Sequence, residues 1–183
     1  MVVEQCSNFL EKEHKHYIEN NLLKTIDFVC QFGLVDEKDS AIGFSHCILA
    51  RPEDSSYLDS AIIDPDNFDF MVLIFQNYLK AIGYNGNYSL LRIAINATTS
   101  AVSNKESAIH VDHNYDHKQL LIQLNDAFVG GGTLIYPKYP NTDESILIES
   151  KKYCGYSFDS CWHSALLPSK GVRLMAVYTY KVD

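Results

Sequence analysis

The chain has 183 residues, 46% of them hydrophobic and 21% charged, the balance of one soluble globular domain spanning 1–183. Lysine and arginine number 15 against 23 acidic residues, a net charge of −8, which argues against non-specific nucleic-acid binding. No apolar run approaches the ~20 residues of a membrane span, and 5 cysteines without a C-x-x-C pair or a secretion signal point to reduced thiols in a cytoplasm.

Glu11 to Leu23 reads as a polar first helix, capped by Ser7 or Asn8, with too few apolar positions (Tyr17, Ile18, Leu22, Leu23) for a central one. Ile26 to Phe32 is a short extended piece and Phe44 to Ala50 a strand. Arg51 to Asp66 is acidic and turn-rich, hence a loop. Asn67 to Ile82 is the best helix: Phe68, Met71, Val72, Phe75, Leu79 and Ile82 recur at helical spacing. Asp66 or Asn67 is the expected cap, and Gly83 stands where a helix ends.

After Gly83 the texture changes. Leu90–Ile95, Ala108–Asp112, Gln119–Leu124, Thr133–Tyr136, Ile146–Ile148, Tyr156–Asp159 and Val172–Tyr180 are short and rich in strand formers. Turn signals separate them, among them Gly130-Gly131-Gly132 and Ser169-Lys170-Gly171. Many short strands without intervening helices imply an antiparallel barrel or sandwich. The expected architecture is α+β: a helical and mixed part over 1–85, packed on a β core over 86–183.

On a strand, His110 and Asp112 of His110-Val111-Asp112 point the same way. His163 follows Phe158-Asp159-Ser160-Cys161-Trp162. Two histidines and one carboxylate are the ligand set of non-haem Fe(II) oxygenases, filling one face of an octahedron. Arg173 lies ten residues past His163, in Val172-Arg173-Leu174-Met175-Ala176-Val177-Tyr178-Thr179-Tyr180. Alternation puts it on one face with Met175, Val177 and Thr179, where a guanidinium is costly unless it meets an anion. His113 and His117 read as structural or solvent-facing, and Gly131 and Gly132 as turn residues.

The order H-x-D, distal histidine, then arginine resembles the signature of the Fe(II)/2-oxoglutarate-dependent oxygenases. Leu120-Leu121-Ile122-Gln123-Leu124-Asn125-Asp126, Gly131-Gly132-Thr133-Leu134-Ile135-Tyr136-Pro137 and Phe158-Asp159 are similar to the prolyl-4-hydroxylase-like branch, including its small phage-encoded members. The resemblance covers roughly Leu90 to Lys181. It implies a double-stranded β-helix core of jelly-roll, cupin-like form. It implies Fe(II) on His110, Asp112 and His163, and the distal carboxylate of 2-oxoglutarate on Arg173. O2 and 2-oxoglutarate would be consumed, with ascorbate as an auxiliary reductant, and an organic substrate hydroxylated with release of succinate and CO2.

Two departures stand out. Gln123 replaces a tyrosine common in relatives, and its amide is expected to donate to a carboxylate instead. Thr98-Thr99 stands where relatives carry Tyr-Pro, which makes Asn96 and Thr98 candidate cosubstrate or substrate contacts. The expected substrate is a prolyl or other protein side chain. A nucleobase or small molecule, and a metal-binding cupin-like module without turnover, are the alternatives. If phage-encoded, the chain would work in the host cytoplasm.

Overall fold

β-Branched and aromatic residues suit the pleated, half-buried surface of a sheet, and among the described residues they build nine strands. The computed structural model describes residues 2–32, 42–54, 61–99 and 105–182. Chain order is β1 (Glu4–Cys6), α1 (Lys12–Tyr17), a π-helical turn (Ile18–Leu22), α2 (Leu23–Thr25), β2 (Val29–Phe32) and β3 (Ile42–Leu49). A 3-10 turn (Pro52–Asp54), α3 (Pro65–Ala81) and β4 (Tyr88–Thr99) follow. The remainder is β5 (Lys118–Gln123), β6 (Phe128–Tyr136), β7 (Ile146–Glu149), β8 (Gly155–Asp159) and β9 (Trp162–Val182).

The large sheet runs β1-β8-β5-β9-β4-β3-β2, and β6 joins β7 to β9 in a smaller one. Every pairing is antiparallel. The first 85 residues thus give the sheet three strands as well as the helices. No described helix is long and apolar enough to cross a membrane.

The α3 stripe Met71, Ile74, Phe75, Tyr78 and Leu79 is buried on the large sheet. Phe75 stacks on Tyr178 at 5.5 Å and meets Tyr180 edge-on at 4.8 Å. The Tyr178 hydroxyl donates to the Met71 carbonyl at 3.1 Å, so burying that ring strands no polar group. The helix cap is Asp64, not Asp66 or Asn67. Its Oδ1 accepts from Asp66 and Asn67 N–H groups at 3.1 and 3.2 Å, and Pro65 fills the first helical position, where a missing N–H is harmless.

Other local expectations also shift. The first helix starts after Glu11, whose N–H meets the His14 ring at 3.2 Å, so Ser7 and Asn8 are not its cap. Ile18 and Leu22 of its π-turn are fully buried, so few apolar residues still make a core contact. The three glycines lie inside β6 rather than in a turn. Of the loop read over Arg51–Asp66, residues 55–60 lie outside the described ones.

β9 belongs to both sheets. Its first half pairs β6 from Tyr136↔Trp162 to Phe128↔Gly171, and its second half lies between β4 and β5. The corner is Gly171, whose φ of +82° is a left-handed conformation. A Cβ there would lie 2.4 Å from the Ala127 carbonyl oxygen, a backbone atom that cannot swing aside. Gly171→Ala should therefore destabilise the protein by at least about 2 kcal/mol, combining left-handed strain with overpacking. A urea midpoint unchanged from wild type would refute the corner role.

Candidate active site

The predicted strand Ala108–Asp112 is not a regular ladder. It touches β9 through the isolated bridge His110↔His163, and Glu106 just before it bridges Leu166. His110 and His163 exchange both backbone hydrogen bonds, each at 2.9 Å. Direct opposition brings the rings together, centroid to centroid 4.4 Å. Asp112, two residues on, brings a carboxylate oxygen 3.6 Å from His163 Nε2. The candidate ligand atoms of His110, Asp112 and His163 all lie within 4.8 Å of one another.

The histidines are oriented for coordination. His110 Nδ1 lies 3.1 Å from the Ala108 carbonyl and His163 Nδ1 3.0 Å from that of Cys161. A carbonyl only accepts, so each Nδ1 carries the proton and each Nε2 keeps its lone pair. Burial, helped by His163, lowers the His110 pKa to about 4, so the ring is neutral at neutral pH. For Asp112 burial acts upward, but the charges of His163, Arg92 and Arg51 prevail and hold the carboxyl below the usual range. Two imidazoles and a carboxylate are a donor set that suits Fe(II).

Sequence reasoning missed the partners of Asp112. Arg51 Nη2 reaches its Oδ1 at 2.7 Å and Arg92 Nη1 at 3.4 Å, while Gln119 donates to Oδ2. The signal for Arg92 was present: alternation along β4 aligns it with Asn96 and Thr98, the same reasoning that singled out Arg173. Arg51 comes from the end of β3 and had no such signal.

His110, Asp112, His163, Arg51 and Arg92 line one cavity of about 190 Å³. Arg173 lines it as well, buried and lying cross-strand from Thr98. Its Nε donates to Ser150 Oγ at 2.8 Å and Gln123 Oε1 at 3.2 Å, and Nη2 to Thr133 Oγ1 at 3.2 Å. Among the described residues no carboxylate pairs with it. Burial pulls the guanidinium down to about 10, which leaves it charged at neutral pH. Gly131, at φ +84°, permits this packing: a Cβ there would stand 3.3 Å from Arg173 Cδ.

Thr98 Oγ1 is buried without a partner. Asn96 also lines the cavity, its Oδ1 accepting from Ser45 at 2.9 Å. Gln123 departs from expectation. Its amide nitrogen donates to the Leu174 carbonyl at 2.9 Å and to Asn125 at 3.0 Å, and its oxygen takes Arg173. It braces the arginine instead of offering an N–H to the cavity. His113 and His117 are buried, not solvent-facing. His113 bridges Glu53 at 3.0 Å and Thr179 at 2.8 Å, tying the Pro52–Asp54 turn to the segment that carries His110 and Asp112.

No protein-family model and no curated protein matches the sequence. Solved structures do. The chain is similar to an oxidoreductase of the 2OG-Fe(II) oxygenase family from Burkholderia pseudomallei, with TM-score 0.76 and 14% identity, over 98% of this chain and 84% of that one. It is similar to a Trichoplax adhaerens prolyl hydroxylase in complex with a hypoxia-inducible-factor peptide, with TM-score 0.61 and 15% identity over 97% and 82% of the two chains. A viral collagen prolyl hydroxylase from Paramecium bursaria Chlorella virus 1 gives TM-score 0.60 and 13% identity over 100% and 97%. The chain has the fold of the 2-oxoglutarate- and Fe(II)-dependent oxygenases, prolyl hydroxylases among them.

Proposed function

We propose that this protein is an Fe(II)- and 2-oxoglutarate-dependent oxygenase, a single domain whose two sheets form a double-stranded β-helix. The observation that carries the reading is Arg173, a buried cation without an anion, in the same cavity as two histidines and an aspartate. Burying an uncompensated charge costs several kcal/mol. A protein that merely held a metal would have no need of Arg173, whereas a dicarboxylate cosubstrate supplies its missing partner.

His110, Asp112 and His163 would hold the iron. Arg173 would take the distal carboxylate of 2-oxoglutarate, with Thr98 Oγ1 free to donate to it. Gln123, Thr133 and Ser150 hold the guanidinium in place. Asn96 lies between the two ends of the cavity on β4 and is the next candidate contact. Leu121, Met175 and Val177 supply the apolar wall. Iron bound there supplies the oxidation chemistry, coupling decarboxylation of 2-oxoglutarate to succinate and CO2 with transfer of an oxygen atom from O2 to a substrate C–H bond.

The substrate we favour is a prolyl or other side chain of a peptide. Support comes from the prolyl hydroxylases of like fold, one of them bound to a peptide. The test is anaerobic Fe(II) with 2-oxoglutarate, which should give a weak visible charge-transfer band. Air and a peptide library should then yield succinate, with ascorbate present to keep the iron reduced. Metal uptake without the band would instead describe a metal-binding module.

A further inference from the structure

Two cationic groups face Asp112, and their roles differ. Arg92 sits on β4, its side chain 16% exposed, whereas Arg51 is 29% exposed and stands at the outer side of the same cavity. Asp112 itself is 5% exposed and already accepts from Arg92 and Gln119. Arg51 Nε is buried and has no hydrogen-bond partner among the described residues. The neighbouring Glu53 does not neutralise Arg51, because its carboxylate is turned to His113 at 3.0 Å. The backbone around Arg51 is fixed rather than loose: the Ala50 N–H donates to the Ala61 carbonyl at 2.8 Å, and Leu49 bridges Ile62.

A divalent cation on Asp112 changes this balance. One carboxylate cannot neutralise both a metal ion and a guanidinium, so metal binding releases part of the Arg51 charge to the cavity. The distal carboxylate of the cosubstrate belongs to Arg173, at the other end of β4. In a chain of net charge −8, a cation kept at the cavity mouth is not background. We propose that Arg51 is a substrate-recognition residue and that the substrate carries an anionic group, a carboxylate or a phosphate, close to the C–H bond that reacts. The inference rests on the oxygenase reading and narrows its substrate class. Arginine's planar fork suits either anion.

The test titrates the Fe(II) protein, saturated with 2-oxoglutarate under nitrogen, with acetate, methyl phosphate and acetamide by calorimetry. At least one anion should bind and acetamide should not. Methyl phosphate alone would point to a phosphorylated substrate, and acetate to a carboxylate. Arg51→Gln should weaken the anion roughly tenfold or more, and Arg51→Lys should recover part of the loss. Anion affinity in the wild type should also be lower before metal is added, because Asp112 then occupies Arg51; Arg51→Gln should lose that dependence. Equal binding of acetamide and acetate, no anion binding, or unchanged affinity in Arg51→Gln would overturn the proposal. So would an equal loss of 2-oxoglutarate affinity in Arg51→Gln, which would assign Arg51 to the cosubstrate. A wild-type protein that takes up metal but not 2-oxoglutarate would refute the oxygenase reading alone, since the anion titrations with metal still report on Arg51.

Discussion

Arg173→Met should leave metal uptake intact while 2-oxoglutarate affinity falls by roughly 30-fold to several thousandfold. The range corresponds to about 2–5 kcal/mol for removing one partner of a secluded, hydrogen-bonded charge pair. Lysine should restore only part of it, since it keeps the charge and loses the fork. The variant also separates binding from folding. Methionine leaves Gln123 Oε1 without its donor, a loss of about 1–3 kcal/mol. It also removes a buried cation that no carboxylate meets, and that penalty is the larger of the two. The empty Arg173→Met protein should therefore unfold at higher denaturant than the empty wild type. The measurement is a 2-oxoglutarate titration of the Fe(II) proteins under nitrogen, paired with urea unfolding of the metal-free ones. Unchanged affinity would make Arg173 a structural residue and return the distal carboxylate to another cation.

Asp112→Ala should abolish useful Fe(II) binding and turnover. Loss of even an outer partner of a metal ligand typically costs 10–100-fold in affinity, and here the anionic ligand itself is gone. Arg51 and Arg92 sharpen the effect. Without the carboxylate they present positive charge beside His110 and His163, so an incoming cation meets repulsion as well as a missing ligand. Asp112→Asn keeps the shape and an oxygen acceptor, and should recover folding stability better than it recovers metal. Equilibrium dialysis against Fe(II) under nitrogen decides the matter. Full affinity in Asp112→Ala would remove the aspartate from the ligand set.

What could be read from the chain was what depends on local pattern. Phe68, Met71, Phe75 and Leu79 recur at helical spacing, and α3 spans Pro65–Ala81 as that spacing demands. Alternation alone put Arg173, Met175 and Val177 on one face, and all three line the cavity. Boundaries set by a single competing interaction were harder. Pro65 moved the cap to Asp64, and Gly131 of β6 allows close packing on Arg173 where a turn was expected. Contacts between distant segments were not legible at all. Arg51 meets Asp112 across 61 positions of sequence, and Gln123 reaches Arg173 across 50. Such pairs depend on sheet order, which strand periodicity does not encode. Ser169-Lys170-Gly171 looked like a break before Val172, whereas the strand continues through it and only changes sheet.

That continuity makes β9 a ruler. His163 and Arg173 lie on one strand, so the separation between His163 and the far end of the cavity is indexed by residue count, with Gly171 fixing where the count turns the corner. Side chains on a strand alternate, so adding or removing one residue between positions 163 and 173, away from the register shift at Pro168–Lys170, turns one of the two groups out of the cavity. A two-residue change restores the facing but moves the reach by about 6.6 Å, more than an arginine fork can absorb. The reach of this pocket is thus quantised. A ligand one carbon longer or shorter has to be met by substitutions on β4, β5 or β6, or at the register shift that β9 carries between Pro168 and Lys170.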